Sequence, residues 1–399
     1  MSEDYSTERT RKYLLKLREL LTELPPVCGE FFRGIEQTTS ALTRYGYALD
    51  LRLFLKFLIG TELGEGTASI KKIDYKFLDS VTADHIERFL EYVSLYPDQS
   101  GDDDDSEMIS NGERGKARKL SSVRAFYKYL YKKGRISSNP ASLVDAPKLH
   151  EKAIIRLEPD EVVKLLDLID SGAGLTDAQK RFHNQTKVRD AAIVTLFLGT
   201  GMRISELVGI NVDDIDFEQN EVRIVRKGGN QDVLVFGSEV RGALLSYMVS
   251  REGVDAEPGH EKALFLSLQK KRITVRAVEQ LVKKYARIAA PLKKISPHKL
   301  RSTYGTSLYR ETGDIYLVAD VLGHKDVNTT RKHYAALSQD RRRTAAEVIR
   351  LRDETPAELD TFGGSPGSEA SAALPDDSNE NKTPPADGAQ QDGGQGDQD

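Results

Sequence analysis

Apolar residues return every three or four positions through most of the first 350 residues of this chain, and they alternate in twos at one place only. A period near 3.6 buries a stripe along a helix, whereas a period of two buries one face of a strand. The pattern therefore predicts a mainly α fold carrying one small β-hairpin. Over residues 38–60 the stripe is Tyr47, Leu51, Phe54 and Leu58, and Gly60 ends it. Thr82 is placed to cap the next helix, which turns Ile86, Phe89, Leu90 and Val93 inward. A polar, Gly-containing loop over residues 98–115 precedes a third helix with Leu120, Val123, Tyr127 and Leu130 on one face. Arg118, Lys119, Arg124, Lys128, Lys132 and Lys133 occupy the rest of that helix, and Gly134 stops it. An earlier helical stretch, about residues 7–24, is closed by Pro25 and Pro26.

Asn139-Pro140 and residues 147–155 read as a linker, after which a new helical pattern starts at residues 158–169. The β exception lies beyond it. Residues 221–225 and 233–236 alternate or run apolar around Lys227-Gly228-Gly229-Asn230, a hairpin signal. Helices resume over residues 274–289 and continue to about residue 352, broken at Pro291, Pro297, Gly313 and Gly323. These breaks divide the chain into an N-terminal helical extension (1–35), a helical domain (36–146), a linker (147–155), a second domain (156–354) and a tail (355–399). With 399 residues, 39% of them hydrophobic, each domain has enough chain to bury its own core. The single cysteine, Cys28, has no intrachain partner, which points to a reducing compartment. No apolar run reaches the roughly 18 residues of a membrane span, so no membrane is expected. Met1-Ser2-Glu3-Asp4 lacks the basic start of a secretory signal, so the expected location is the cytoplasm.

The net charge of -4 argues against a polyanionic partner only until the acids are located. Residues 355–399 carry ten acids against the one base Lys382, and residues 98–107 carry six acids and no base. Setting aside the tail's balance of -9 and this stretch's -6 turns -4 into +11 for the rest of the chain. That rest is basic and suits a polyanion such as DNA. The tail, rich in Gly, Pro, Ser, Asp and Gln with Phe362 as its sole aromatic, cannot bury enough surface to offset ordering and reads as disordered.

Residues 199–207 read Gly-Thr-Gly-Met-Arg-Ile-Ser-Glu-Leu. The glycines break an apolar helix and leave Arg203 at the start of the next, where a guanidinium adds a bidentate fork for phosphate. The blander alternative is a surface ion pair with Glu206. Lys227 stands at the hairpin tip with Arg226 as a rival for any role there. Farther on, Ser296-Pro297-His298-Lys299-Leu300-Arg301 puts His298 and Arg301 on one helical face. Then come Leu322-Gly323-His324 and Thr329-Thr330-Arg331-Lys332-His333-Tyr334. Arg203, Lys227, His298, Arg301, His324 and Tyr334 together are what metal-free transesterification of a phosphodiester requires. Guanidiniums and a His hold the non-bridging oxygens, a Tyr hydroxyl attacks, and a Lys protonates the leaving oxygen. No metal and no other cofactor is called for.

In this order the set resembles the tyrosine recombinase family, the phage-type integrases and Xer recombinases of bacteria. The resemblance extends over residues 36–350 and is supported in the first half by Thr43-Arg44-Tyr45, Phe126-Tyr127-Lys128-Tyr129-Leu130 and Asn139-Pro140-Ala141. It implies a two-domain architecture that clamps DNA, with a core-binding domain contacting the duplex through Arg44, Arg118, Lys119, Arg124 and Lys128. It also implies that Tyr334 attacks the scissile phosphate to give a 3′-phosphotyrosyl link and a free 5′-hydroxyl. Arg203, Arg301 and His324 would stabilise the phosphorane-like state, His298 would assist deprotonation of Tyr334, Lys227 would act as general acid, and Glu206 would support the site. Tyr334 lies ten residues after His324, one more than is common in the family, and residue 333 is a second His. The stretch 341–349 reads as a helix that, by the resemblance, packs into a neighbouring protomer. That implies a tetramer on two double-stranded recombination sites, built from this chain alone or with a second recombinase. Two alternatives stand beside it: a non-catalytic DNA-binding regulator on the same fold, and a type IB topoisomerase-like enzyme that nicks and reseals. The sequence names neither the DNA site nor the biological setting, chromosome dimer resolution or mobile-element integration.

Overall fold

The helical stripes and glycine stops of the sequence build thirteen α-helices among the described residues of this computed structural model, which are 5–97, 108–150, 154–226, 229–323 and 327. The first group is α1 (Tyr5–Leu21), α2 (Pro26–Gly34), α3 (Ala41–Ile59), α4 (Tyr75–Asp79), α5 (Ala83–Tyr92) and α6 (Glu113–Lys132). Its helix starts follow local chemistry. Ser40 caps α3 by accepting from the Thr43 N–H, and Asp74 caps α4 by accepting from the Phe77 N–H at 2.8 Å. The Pro25-Pro26 pair expected to close a helix does so and also opens another, because Pro26 at the first helical position has no N–H to leave unsatisfied. Two strands of three residues, β1 (Leu95–Pro97) and β2 (Met108–Ser110), pair antiparallel, β2 inside the stretch that the sequence reads as loop and β1 just before it. Three residues are too few to show alternation.

The apolar stripes of these helices meet in one core. Leu51, Phe54 and Leu58 of α3, Ile86 and Phe89 of α5, and Val123, Tyr127 and Leu130 of α6 are fully buried, with Leu17, Leu20 and Phe31 of α1 and α2 beside them. The extension read from the sequence thus shares this core. Phe54 meets Phe89 edge-on at 5.0 Å between ring centroids, a geometry that adds to area burial.

A second core belongs to α7 (Pro159–Ser171), α8 (Asp177–Thr200), α9 (Ile204–Gly209), α10 (Ser238–Glu252), α11 (Val275–Ala289) and α12 (Pro297–Thr312). The C-terminal part of α8 is apolar almost all round, with Ile193, Val194, Leu196 and Phe197 buried, because α7, α10 and α12 pack around it. The short α13 (Ile315–Val321) follows the left-handed Gly313. Strands β3 (Ile215–Asp216), β4 (Glu221–Val225) and β5 (Gln231–Val235) form one antiparallel sheet in that order, with Val222 facing Leu234 and Ile224 facing Asp232. The expected hairpin is therefore β4–β5. No helix among the described residues is long and apolar enough to cross a membrane.

Within this second core lies a buried polar cluster that the sequence did not signal. Asp190 accepts from Thr186 (3.0 Å), Arg189 (2.8 Å), Lys284 (3.3 Å) and the Tyr285 hydroxyl (3.1 Å), and that hydroxyl lies 2.9 Å from His183 Nδ1. An ionised Asp190 only accepts, so Tyr285 donates to it and takes its own bond from the His183 Nδ1–H. Among the described residues His183 Nε2 is buried with no hydrogen-bond partner. Burial lowers the His183 pKa, and burial together with the Asp190 charge raises that of Tyr285.

Candidate active site

Gly201 ends α8 in the left-handed conformation at φ 62°, as a glycine after a helix commonly does. A Cβ here would lie 2.4 Å from the Tyr304 ring and 2.9 Å from Leu322, so the turn has room only for glycine. That turn places Arg203 at the mouth of α9. The alternative reading of Arg203 as an ion-pair partner of Glu206 is met. Glu206, with 1% of its side chain exposed, accepts from the Arg203 backbone N–H at 2.7 Å and from its Nη1 at 2.8 Å. The second nitrogen, Nη2, donates on the other side to the Gly323 carbonyl at 3.1 Å and to that of Leu322 at 3.5 Å.

Arg301 arrives from α12. It is buried at 3% exposure, donates from Nη1 to the Gly201 carbonyl at 2.6 Å and from Nη2 to the Leu322 carbonyl. Arg226, the last residue before the hairpin tip, brings a third guanidinium: Nη1 donates to Leu322 O at 3.2 Å and Nη2 to Val321 O at 3.3 Å. The carbonyls at the end of α13, which lack partners within their own helix, thus gather three arginines. Cations at a helix C-terminus are favoured, yet three side chains on one carbonyl exceed what a single acceptor needs. The same fan of donors fits a tetrahedral anion. Arg203 and Arg226 also line a cavity of about 700 Å³, whose further lining includes Arg223, Gln231 and, from α1, Tyr5, Arg9 and Tyr13.

His298 lies one helical turn before Arg301 on α12, exposed, with Ser302 Oγ donating to its carbonyl at 3.1 Å. Lys227, His324 and Tyr334 lie outside the described residues. Two of them adjoin the cluster in sequence: Lys227 follows Arg226, and His324 follows Gly323.

The basic residues of the first group of helices divide by burial. Lys128 is exposed. Arg118, half-exposed, grips the buried Asp50 with both guanidinium nitrogens, and Ser122 donates to the same carboxylate at 2.7 Å. Lys119 is turned inward, bonded to Asn111 at 2.9 Å and 5.8 Å from the Tyr96 ring centroid, and burial lowers its pKa. Arg44 is buried against Glu36 at 3.1 Å, and Arg124 donates to the Ala141 and Val144 carbonyls. These three side chains make their polar contacts within the fold. Their positions between apolar stripe residues let the stems pack inward, which a surface reading of the helix wheel does not reveal.

Residues 156–341 match the model of the phage integrase family. A tyrosine recombinase XerC of Caldanaerobacter subterraneus subsp. tengcongensis is 34% identical over 338 residues, covering 80% of this chain and 87% of the relative. A tyrosine recombinase XerD of Bifidobacterium longum is 31% identical over 301 residues, covering 70% and 91%. Among solved structures, XerH site-specific recombinase bound to a palindromic difH substrate after cleavage aligns with a TM-score of 0.56 at 18% identity, covering 84% of this chain and 94% of that one. The Tn1549 transposon integrase in complex with circular intermediate DNA aligns with the same TM-score at 20% identity, covering 82% and 100%. These two likenesses concern the fold.

Proposed function

The chain belongs to the phage integrase family of tyrosine recombinases, and from that premise we propose that it is a site-specific DNA recombinase working through a covalent phosphotyrosine. The observation that carries the mechanism is the convergence of Arg203 and Arg301 on the Leu322 carbonyl, one residue before Gly323-His324. Two guanidiniums held at one point by a buried carboxylate and a backbone carbonyl are preorganised for the charge that grows on non-bridging phosphate oxygens.

The proposed step balances without ATP or metal. The Tyr334 oxygen bonds to phosphorus while the bond to the 5′-oxygen breaks. His298 takes the tyrosine proton, and Lys227 gives a proton to the departing 5′-oxygen. Arg203, Arg301 and His324 hold the intermediate charge, and Glu206 fixes Arg203. Rejoining is the reverse with another 5′-hydroxyl, so the bond energy is retained in the phosphotyrosine. Residues 36–146 and 156–354 would grip the two sides of the duplex, with Lys128 and Arg118 on the outer face of α6. Strand exchange between two sites uses four such chains, joined through residues 341–349. A chain of this kind acts in the cytoplasm, at the chromosome.

The test is a nicked duplex carrying the recombination site, incubated with the protein in EDTA. The expected result is an SDS-resistant protein–DNA adduct that Tyr334→Phe abolishes. An adduct that persists in Tyr334→Phe assigns another nucleophile, and tight binding without any adduct favours a non-catalytic regulator.

A further inference from the structure

Steps of four, four, four and three residues along α1 put Tyr5, Arg9, Tyr13, Leu17 and Leu20 on one face of the helix. The C-terminal end of that stripe enters the first core, where Leu17 and Leu20 are buried. Its N-terminal end meets the second core instead. The Tyr5 ring packs against that core, with its centroid 5.5 Å from the Arg272 guanidinium carbon, and lies 3.2 Å from where a Cβ on Gly209 would stand. The helix is thus fastened at both ends, and Arg9, one turn after Tyr5, lines the cavity that Arg203 also lines.

An inward position between two tyrosines ordinarily holds an apolar residue, because a cation drawn out of water has to be paired. Arg9 is half-buried and, among the described residues, makes no hydrogen bond and no ion pair. The other three guanidiniums on the cavity each have an acceptor: Arg203 has Glu206 at 2.8 Å, Arg223 has the Asp213 carbonyl at 2.6 Å, and Arg226 has Asp232. The two acids among the described lining residues are engaged as well. Glu206 is held by Arg203, and Asp214 accepts from the Asn211 N–H at 2.8 Å. Four cations against two engaged carboxylates leave a positive cavity, in which like charges repel until an anion enters.

We propose that Arg9 binds a phosphate of the DNA backbone: α1, from the N-terminal extension to which the sequence gave no role, supplies a further guanidinium to the anion site of Arg203. This inference rests on the recombinase reading above and adds to it a binding residue. At about 700 Å³ the cavity has the size of a pocket for a drug-sized molecule, which admits a stretch of sugar-phosphate backbone and not a whole duplex. A phosphate contact carries no sequence information, so its loss should weaken every duplex alike.

The test is binding measured by fluorescence anisotropy over a range of salt, with two duplexes, one carrying the recombination site and one of unrelated sequence. Each phosphate contact contributes about 0.9 to the slope of log affinity against log salt. Arg9→Ala and Arg9→Gln are expected to lower the magnitude of that slope by about 0.9 on both duplexes. That amounts to about fivefold weaker binding at about 0.15 M salt and about 15-fold at about 0.05 M. Arg9→Lys, which keeps the charge, should keep the slope. Arg9→Gln, which retains most of the stem, carries the test if Arg9→Ala fails to fold. The control is Arg18, exposed and about two and a half turns farther along α1, hence on its opposite face. Arg18→Ala should leave the slope within about 0.3 of the unmutated value. An unchanged slope and affinity in Arg9→Ala would overturn the proposal, and so would equal losses in Arg9→Ala and Arg18→Ala, which reflect only the general charge of the helix. Tighter binding by Arg9→Ala would overturn it by making α1 a shield over Arg203. If the unmutated chain binds neither duplex, the recombinase reading itself fails and this inference falls with it.

Discussion

Replacing Glu206 by Gln tests whether the arginine cluster is preorganised. The carboxylate is buried and receives two bonds from one residue, the Arg203 N–H at 2.7 Å and Nη1 at 2.8 Å. Glutamine keeps the shape but has one acceptor oxygen, so one of the two donors then faces an amide N–H₂. Hydrogen bonds to a charged group contribute about 1.5–3 kcal/mol each. Arg203 retains a third of its side-chain exposure, and water there offsets part of the loss. About 2 kcal/mol of folding free energy should go, a factor of about 30 in the equilibrium. With a urea slope of about 3 kcal/mol per M, the midpoint followed by circular dichroism should fall by about 0.7 M. Cleavage of the nicked duplex should slow about 10- to 100-fold, because Arg203 then has to be ordered during the reaction. The decisive measurement is a double-mutant cycle with Arg203→Ala. Coupled residues should give an interaction of at least about 1 kcal/mol in stability. Additivity within about 0.5 kcal/mol would refute the idea that Glu206 acts through Arg203.

Three further outcomes are expected. Gly201→Ala forces a left-handed alanine, costing about 1–2 kcal/mol, and adds the displacement of Tyr304 and Leu322, so its midpoint should fall further than a conformational cost alone predicts; an unchanged urea curve would contradict the packing described. Asp50→Asn removes the charge held by Arg118 and Ser122 and should cost about 2–3 kcal/mol, with Asp50→Asn/Arg118→Met partly recovered; no recovery would mean the pair is not coupled. The lowered pKa of His183 means that the unfolded chain binds a proton more readily than the folded one. Its contribution to stability is complete above the ordinary imidazole pKa and is lost as pH falls from there through the depressed folded value. His183→Phe should flatten that acid slope of the denaturation midpoint, and an unaltered slope would assign it to other groups.

Much of this molecule is set by residues acting on their near neighbours. The stripes of α3, α5 and α6, the Ser40 cap, the Pro26 and Pro297 helix starts and the β4–β5 hairpin all follow from spacing and backbone chemistry within a turn or two, and the sequence alone contains them. Arg203 and Glu206 stand out for the same reason, at the glycine break before α9, and Arg301 through its spacing from His298 after the Pro297 helix start. Their convergence does not. Arg203 and Arg301 are far apart in the chain, and only the packing of α12 on α8 brings them to the one carbonyl of Leu322. Packing also decided which cations are outward, turning Lys119 and Arg44 inward while leaving Lys128 exposed. It made Arg226, in sequence a mere rival to its neighbour, the tie between hairpin and helix end. Periodicity records which face of an element is buried, but what that face meets is settled by contacts between distant segments, and those exist only once the cores have formed.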